Sequence, residues 1–178
     1  MSILDHSQEG ARIDAVRRYD ILDTPQDGNF DRITAFAAEL FDVPIALVTI
    51  VDQDRIWFKS RHGLEEVDEI SRDPGLCASA VLDDLPYVVE SARKDPRTLA
   101  NPLVSGSFGL QFYAAAPLKT ADGHRLGTLC IIDREPRVFS PRQAAFLERL
   151  AQIVVDEMEL RISALRVIRE AKGATVSL

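Results

Sequence analysis

The most reactive atoms in this chain are the sulfurs of Cys77 and Cys130. Cys77 lies in Gly75-Leu76-Cys77-Ala78-Ser79, near the start of a predicted short helix. A helix N-terminus lowers a thiol pKa, and Arg72 is close enough in sequence to assist. That combination describes a nucleophilic thiol. The competing reading is a small buried hydrophobe, the common fate of free cysteine. Cys130 stands mid-strand between Leu129 and Ile131 and reads as packing. Two cysteines cannot build a disulfide framework, so both thiols are expected reduced, in the cytoplasm.

Other chemistries lack their residues. His6, His62 and His124 are scattered, without the Cys/His spacing that zinc requires. Ser105 is followed by Gly106 but has no upstream glycine at the place a nucleophile elbow demands. No Gly-rich phosphate loop is present. No metal site is signalled, and the residues identify no particular cofactor. The net charge is −7, and no Lys/Arg cluster offers a footprint for a phosphate backbone, so nucleic acid is not an expected partner. No apolar run approaches the ~20 residues of a membrane span. The N-terminus lacks the basic and apolar regions of a signal peptide. At 178 residues, one domain with a real core is the default.

The elements that must position any site follow from periodicity. Residues 1–7 read as a loose tail. Gln8 to Leu22 reads as a helix, with Arg12 on its polar face. Thr24 and Pro25 look like an N-cap and first helical position. The following helix places Phe30, Ile33, Ala37 and Leu40 on a core face and stops before Pro44. Ile45 to Val51 is a buried central strand, and Arg55 to Ser60 returns beside it. His62 to Arg72 reads as loop, Gly75 to Leu82 as a short helix and Tyr87 to Glu90 as a short strand. Lys94 to Gly109 is loop-like, with a helical turn near residues 96–100. Phe112 to Asp133 is a hairpin turning at Asp122-Gly123. Gly127 inside its second strand marks a close approach. Ser140-Pro141-Arg142-Gln143 is a capping box. It opens a helix that runs to about Lys172, or ~45 Å. Leu147, Ala151, Val154, Met158, Ile162 and Leu165 form one apolar stripe. Phe146, Leu150, Ile153, Leu160, Ala164 and Val167 form a second. A helix apolar on two faces must be covered on both. Phe146, Leu150, Ile153, Leu160 and Val167 are therefore candidate dimer contacts.

The hairpin residues Tyr113, Ala114, Pro117, Leu118, Asp122, Gly123, Leu126, Gly127, Leu129 and Asp133 resemble the signature of the GAF domains. These are small sensory modules of signalling proteins. Tyr19–Pro25, Phe30–Ile33, Pro44–Asp52, Arg55–Ser60, Asp95–Arg97 and Asn101–Val104 extend the resemblance to a bacterial sensory subgroup. It covers roughly residues 12–162. It implies an α+β fold: a central antiparallel sheet of five or six strands flanked by helices, with a long C-terminal helix. Residues 1–11 are then tail and helix start, 12–162 a single GAF-like domain, and 163–178 helix extension and tail. The terminal helices should cover one sheet face. The Gly75–Leu82 helix and the Lys94–Gly109 loop should cap the other.

The resemblance also implies a pocket. Trp57, Phe58, Cys77, Phe112 and Tyr113 are candidates to line it, with Ser79, Asp95, Arg97 and Asn101 as polar anchors. Ser79 stands where the subgroup often has His after Cys-Ala. One GAF branch, the free methionine-(R)-sulfoxide reductases, needs a second thiol in the loop that here runs Asn101 to Gly106, and no Cys is there. The Cys-His pair of bilin-binding relatives and the cyclic-nucleotide signature are also missing. The leading expectation is a non-enzymatic, dimeric sensor of an unknown small molecule, acting on a signalling effector. The alternatives are a Cys77-dependent redox sensor or reductase, and a dimerisation scaffold with a vestigial pocket.

Overall fold

Seven consecutive buried residues make Ile45–Val51 a strand, β1, that is covered on both faces. Its partners are β2 (Arg55–His62) on one side and β6 (Arg125–Asp133) on the other, both antiparallel. The computed structural model describes residues 6–175. In chain order the remaining elements are α1 (His6–Arg18), α2 (Gly28–Phe41), β3 (Glu69–Ser71), α3 (Cys77–Ala80), β4 (Tyr87–Val89), α4 (Pro102–Ser105), β5 (Phe112–Lys119) and α5 (Pro141–Thr175). The strands form one six-stranded antiparallel sheet in the order β3-β2-β1-β6-β5-β4.

Alternation along the strands splits the apolar side chains into two layers. Ala46, Val48 and Ile50 of β1 join Leu129 and Ile131 of β6 under α1, α2 and α5. Ile45, Leu47 and Val51 join Cys130 and Ile132 under α3 and α4. The layout is the α+β architecture expected, with the terminal helices on one face. Ser140 and Gln143 form the reciprocal capping box: Gln143 N donates to Ser140 Oγ at 3.1 Å and Ser140 N to Gln143 Oε1 at 2.8 Å.

Some local expectations are corrected. Thr24 is not an N-cap. Its hydroxyl donates to the Ile21 carbonyl and, with the Pro25 carbonyl, accepts from the buried Lys59 ammonium. The cap is Asp27, which accepts from Asn29 N at 3.0 Å. Leu40 faces outward, and Phe41 takes the core position. Arg12 is buried, not on a solvent face, because its guanidinium donates to the Val51 carbonyl at 2.7 Å and to Glu9. The expected loop over residues 62–72 contains the edge strand β3. The chain does turn at residues 96–100, but the helix, α4, starts at Pro102 with Asn101 as its cap. The expected N-terminal tail lies mostly outside the described residues, and His6 is already helical. Residues 176–178 also lie outside them.

On α5, Leu147, Ala151, Val154, Met158 and Ile162 are buried as the first stripe requires. The second stripe divides. Leu150 is buried and Phe146 partly buried in the same core, whereas Ile153, Leu160 and Val167 are 51%, 64% and 65% exposed.

Gly127 lies opposite Ile50, and a Cβ placed there would sit 1.8 Å from the Thr49 carbonyl oxygen. Only glycine lets β1 and β6 approach this closely. Gly127→Ala is expected to lower stability by ~2–4 kcal/mol, since backbone must move. Urea unfolding followed by circular dichroism measures it. A midpoint unchanged from wild type would show that the strands part without penalty.

Candidate functional site

Between the sheet and its α3–α4 cover lies a cavity of about 130 Å3. The sheet supplies Leu47, Phe58, Tyr113 and Ile132. The cover supplies Leu64, Val67, Leu76, Leu103 and Phe108. Almost all of this lining is apolar. The polar exception is one contact: the Tyr113 hydroxyl donates to Cys77 Sγ at 3.1 Å. Cys77 is the first residue of α3 and is buried against the sheet.

Below this contact the sheet carries a small polar cluster. Thr49 and Thr128 are cross-strand partners with their hydroxyls 2.9 Å apart, both fully buried. Such a pair stabilises a sheet while satisfying both hydroxyls. Cys130, on the same sheet face, interacts with Cys77 side chain to side chain. That contact, with the nearby Thr128 hydroxyl, the hydrogen bond from Tyr113 and the Thr49 hydroxyl, outweighs burial and pulls the Cys77 thiol below its ordinary value. The contact with Cys77, together with burial, pushes the Cys130 thiol well above its own. Burial, and then the neighbouring thiols, raise the Tyr113 phenol, which therefore stays a donor.

The candidate residues fall into three groups. Phe58, Cys77 and Tyr113 line the cavity. Trp57 and Phe112 do not; they pack in the opposite layer, under the helices. Neighbouring residues on a strand point to opposite faces, so each aromatic pair could place only one member here. Ser79, Arg97 and Asn101 open onto a separate outer cleft with Asp54, Arg72 and Asp73. Asn101 ties the cavity cover together. Its side-chain oxygen accepts from Leu103 N at 2.9 Å, and its amide donates to the Pro74 carbonyl at 2.8 Å. Arg97 is held by Asp95 and donates to the Val88 carbonyl at 2.7 Å, with its guanidinium over the Tyr87 ring. Tyr87 meets Tyr113 edge-on, 6.1 Å between centroids. Asp95 and Arg97 thus brace the wall behind Tyr113. Sequence reasoning missed Leu64, Val67, Leu76 and Leu103, which sit in loops or short helices without usable periodicity. Alternation with Ile132 was the available signal that Cys130 faces this layer.

The cover also connects to α1. Arg72 accepts at its carbonyl from Gly75 N, 3.0 Å away, just before α3. Its guanidinium donates to Glu9 at 2.6 Å and to the Asp52 carbonyl at 3.0 Å. Arg12 holds the same carboxylate at 2.8 and 2.9 Å. Beyond α1, Tyr19 donates to Glu159 of α5, and Arg161 of α5 donates to the Tyr19 carbonyl at 2.9 Å.

Residues 27–157 match the GAF domain family. The chain is 40% identical over 148 residues to the cyclic di-GMP phosphodiesterase PA2567 of Pseudomonas aeruginosa, a match that takes in 83% of this chain. It spans 25% of the length of that relative. The free methionine-R-sulfoxide reductase of Neisseria meningitidis, solved with its substrate, superposes with a TM-score of 0.64 at 18% identity, over 92% of this chain and 97% of that one. The GAF domain of an Acinetobacter phosphoenolpyruvate-protein phosphotransferase gives 0.62 at 17% identity, over 93% and 98%. At such identities these structures speak for the fold alone. Sheet order and helix placement define an α+β module with a six-stranded antiparallel sheet between two helical layers. The chain belongs to the GAF domain family.

Burial alone would raise the Glu9 carboxyl, but hydrogen bonds from Arg12 and Arg72 outweigh it and bring the group from 4.5 to about 2. A depressed carboxylate contributes stability above its unfolded value and loses it as pH falls through the folded one. The contribution is therefore complete above 4.5 and fades toward about 2. Glu9→Gln is expected to destabilise by roughly 1 kcal/mol at neutral pH, discounted for partial solvent screening. The gap between variant and wild type in urea midpoint should narrow as pH falls through that window. A gap independent of pH would exclude the charge of Glu9 as its source.

Proposed function

We propose that this chain is a non-enzymatic regulatory sensor of signal transduction that binds a small, mostly apolar molecule in the cavity beneath α3. The observation that carries the reading is the cavity itself: apolar walls around one hydrogen-bonding end, the usual make-up of a small-molecule site. No Arg or Lys lines it, so a phosphate buried there would lack compensation. This favours a neutral ligand over a nucleotide. The relative's name suggests the kind of effector such a domain serves, a cyclic di-GMP phosphodiesterase. The setting we infer is cytoplasmic; no helix among the described residues is long and apolar enough to cross a membrane.

Signalling follows from the contacts. A ligand shifts a two-state equilibrium only by its differential affinity for the states. Occupancy would favour one position of Leu76 and α3. Arg72 and Glu9 connect that segment to α1, and Tyr19 and Arg161 connect α1 to α5. On α5 the exposed Ile153, Leu160 and Val167 form the surface for a second copy of the chain. The module then works as a homodimer whose helix pair reports the state of the cavity.

Native mass spectrometry tests both parts. The expected result is a dimer that takes up small apolar compounds. Leu103→Trp, which fills the cavity, should abolish uptake while leaving the dimer. Ile153→Glu with Leu160→Glu should give monomers that still bind. Because both side chains are exposed, monomer stability should change by less than about 0.5 kcal/mol per site. A dimer that shows no uptake across an apolar compound screen would reduce the domain to a scaffold. A monomeric wild type would refute the helix-pair mechanism.

A further inference from the structure

Cys77 and Cys130 come from elements far apart in sequence, the start of α3 and the middle of β6. The fold nevertheless sets their side chains against each other in one buried layer. Cys77 lies on the cavity wall, whereas Cys130 is fully buried behind it. The Tyr113 hydroxyl donates to the Cys77 sulfur, and Thr49 and Thr128 place their hydroxyls beside it. Donors around a sulfur stabilise its thiolate, the attacking form. The cavity gives that sulfur a route to a small neutral oxidant, while Cys130 is shielded from direct attack. The two cysteines therefore stand differently: Cys77 reaches the cavity and has a hydroxyl donor, and Cys130 is shielded behind it.

We propose that Cys77 and Cys130 are a peroxide-oxidisable dithiol, with Cys77 the attacking and Cys130 the resolving thiol. In the first step the Cys77 thiolate attacks the terminal oxygen of a hydroperoxide. An S–O bond forms, the O–O bond breaks, and the leaving alkoxide (hydroxide, for hydrogen peroxide) takes up the proton that Cys77 released. Cys77 is then a sulfenic acid. In the second step the sulfur of Cys130 attacks that of Cys77. The S–S bond forms, the S–O bond breaks, and hydroxide leaves as water with the Cys130 proton. Two thiols have lost two electrons and two protons, and the hydroperoxide has become an alcohol, or water, plus water. The product links α3 covalently to the central sheet and fixes the cavity cover. The inference goes beyond ligand sensing and holds whether or not the cavity takes a ligand.

The test treats the full chain with a small excess of hydrogen peroxide and follows intact mass, free thiols and peptide linkage. The wild type should lose both free thiols and the mass of two hydrogens, with a Cys77–Cys130 linked peptide that dithiothreitol releases. Cys130→Ser should stop at the sulfenic acid, trapped on Cys77 by dimedone. Cys77→Ser should leave Cys130 unmodified, with thiol loss slower by roughly tenfold or more. Tyr113→Phe should slow alkylation of Cys77 by iodoacetamide roughly threefold to tenfold, as one donor to the thiolate is lost. Cys130→Ala replaces the serine variant if that one does not fold. Two thiols that survive peroxide in the wild type would overturn the proposal. So would a disulfide that forms only between chains, or a Cys130→Ser chain in which dimedone finds no sulfenic acid on Cys77 after peroxide.

Discussion

The site depends on the two-residue period of the sheet. β1, β2, β5 and β6 each send successive side chains to opposite faces, and the antiparallel register aligns those faces across all four strands. One face is filled to solid core by three helices. The other is closed only by short helices and loops. Short elements pack less completely than long ones, because each contributes few side chains at fixed spacing. The apolar cavity accordingly lies on the α3–α4 side, whereas the cleft bordered by α5 is lined by charged residues such as Arg18, Asp122, Glu159 and Arg166.

A one-residue irregularity in β2 modifies this rule usefully. Val48 lies opposite Ser60 and Thr49 opposite Phe58, which leaves Lys59 as the extra residue of a bulge. Trp57 and Ser60 then both reach the helical layer, where Ser60 bonds Thr34 and Asp31 of α2. Lys59 itself turns to the segment before α2, donating to Thr24 and the Pro25 carbonyl. Burial lowers its pKa, and its ammonium lies over the Phe30 ring. The bulge thus holds the chain that enters α2 and keeps Phe58 aimed at the cavity.

Sheet composition, the hairpin turn and the α5 cap were legible in the residues because each rests on local physics. Val, Ile and Leu runs make strands, Asp122-Gly123 makes a turn, and Ser140 with Gln143 closes a capping box. The site was legible only in part. Cys77, Phe58 and Tyr113 carry a recognisable motif or chemistry, whereas Leu64, Val67 and Leu103 reach the cavity through long-range packing that leaves no periodic trace. Arg12 shows the same limit from the other side. Its charge predicts solvent, yet Glu9 and the Val51 carbonyl satisfy it in the interior. The apolar stripe that holds Leu150 predicts an interface contact there. Its burial in the core narrows the unpartnered surface of α5 to Ile153, Leu160, Val167 and the neighbouring Ile168.

The same arrangement explains why the thiol pair sits where it does. A sulfur is soft and tolerates an apolar layer, so Cys130 packs among Leu47, Ala115 and Ile132 without needing a strong hydrogen bond. Cys77 begins a four-residue helix whose cap, Leu76, offers no side-chain hydrogen bond. The stabilisation of a Cys77 thiolate comes across the layer, from Cys130, Thr128, Tyr113 and Thr49 of the sheet. A change of charge or bonding at Cys77 is therefore felt simultaneously by the central strands and by α3, the element whose position sets the shape of the cavity. Sulfur chemistry and cavity occupancy would act on one segment, and each would bias the other wherever both occur.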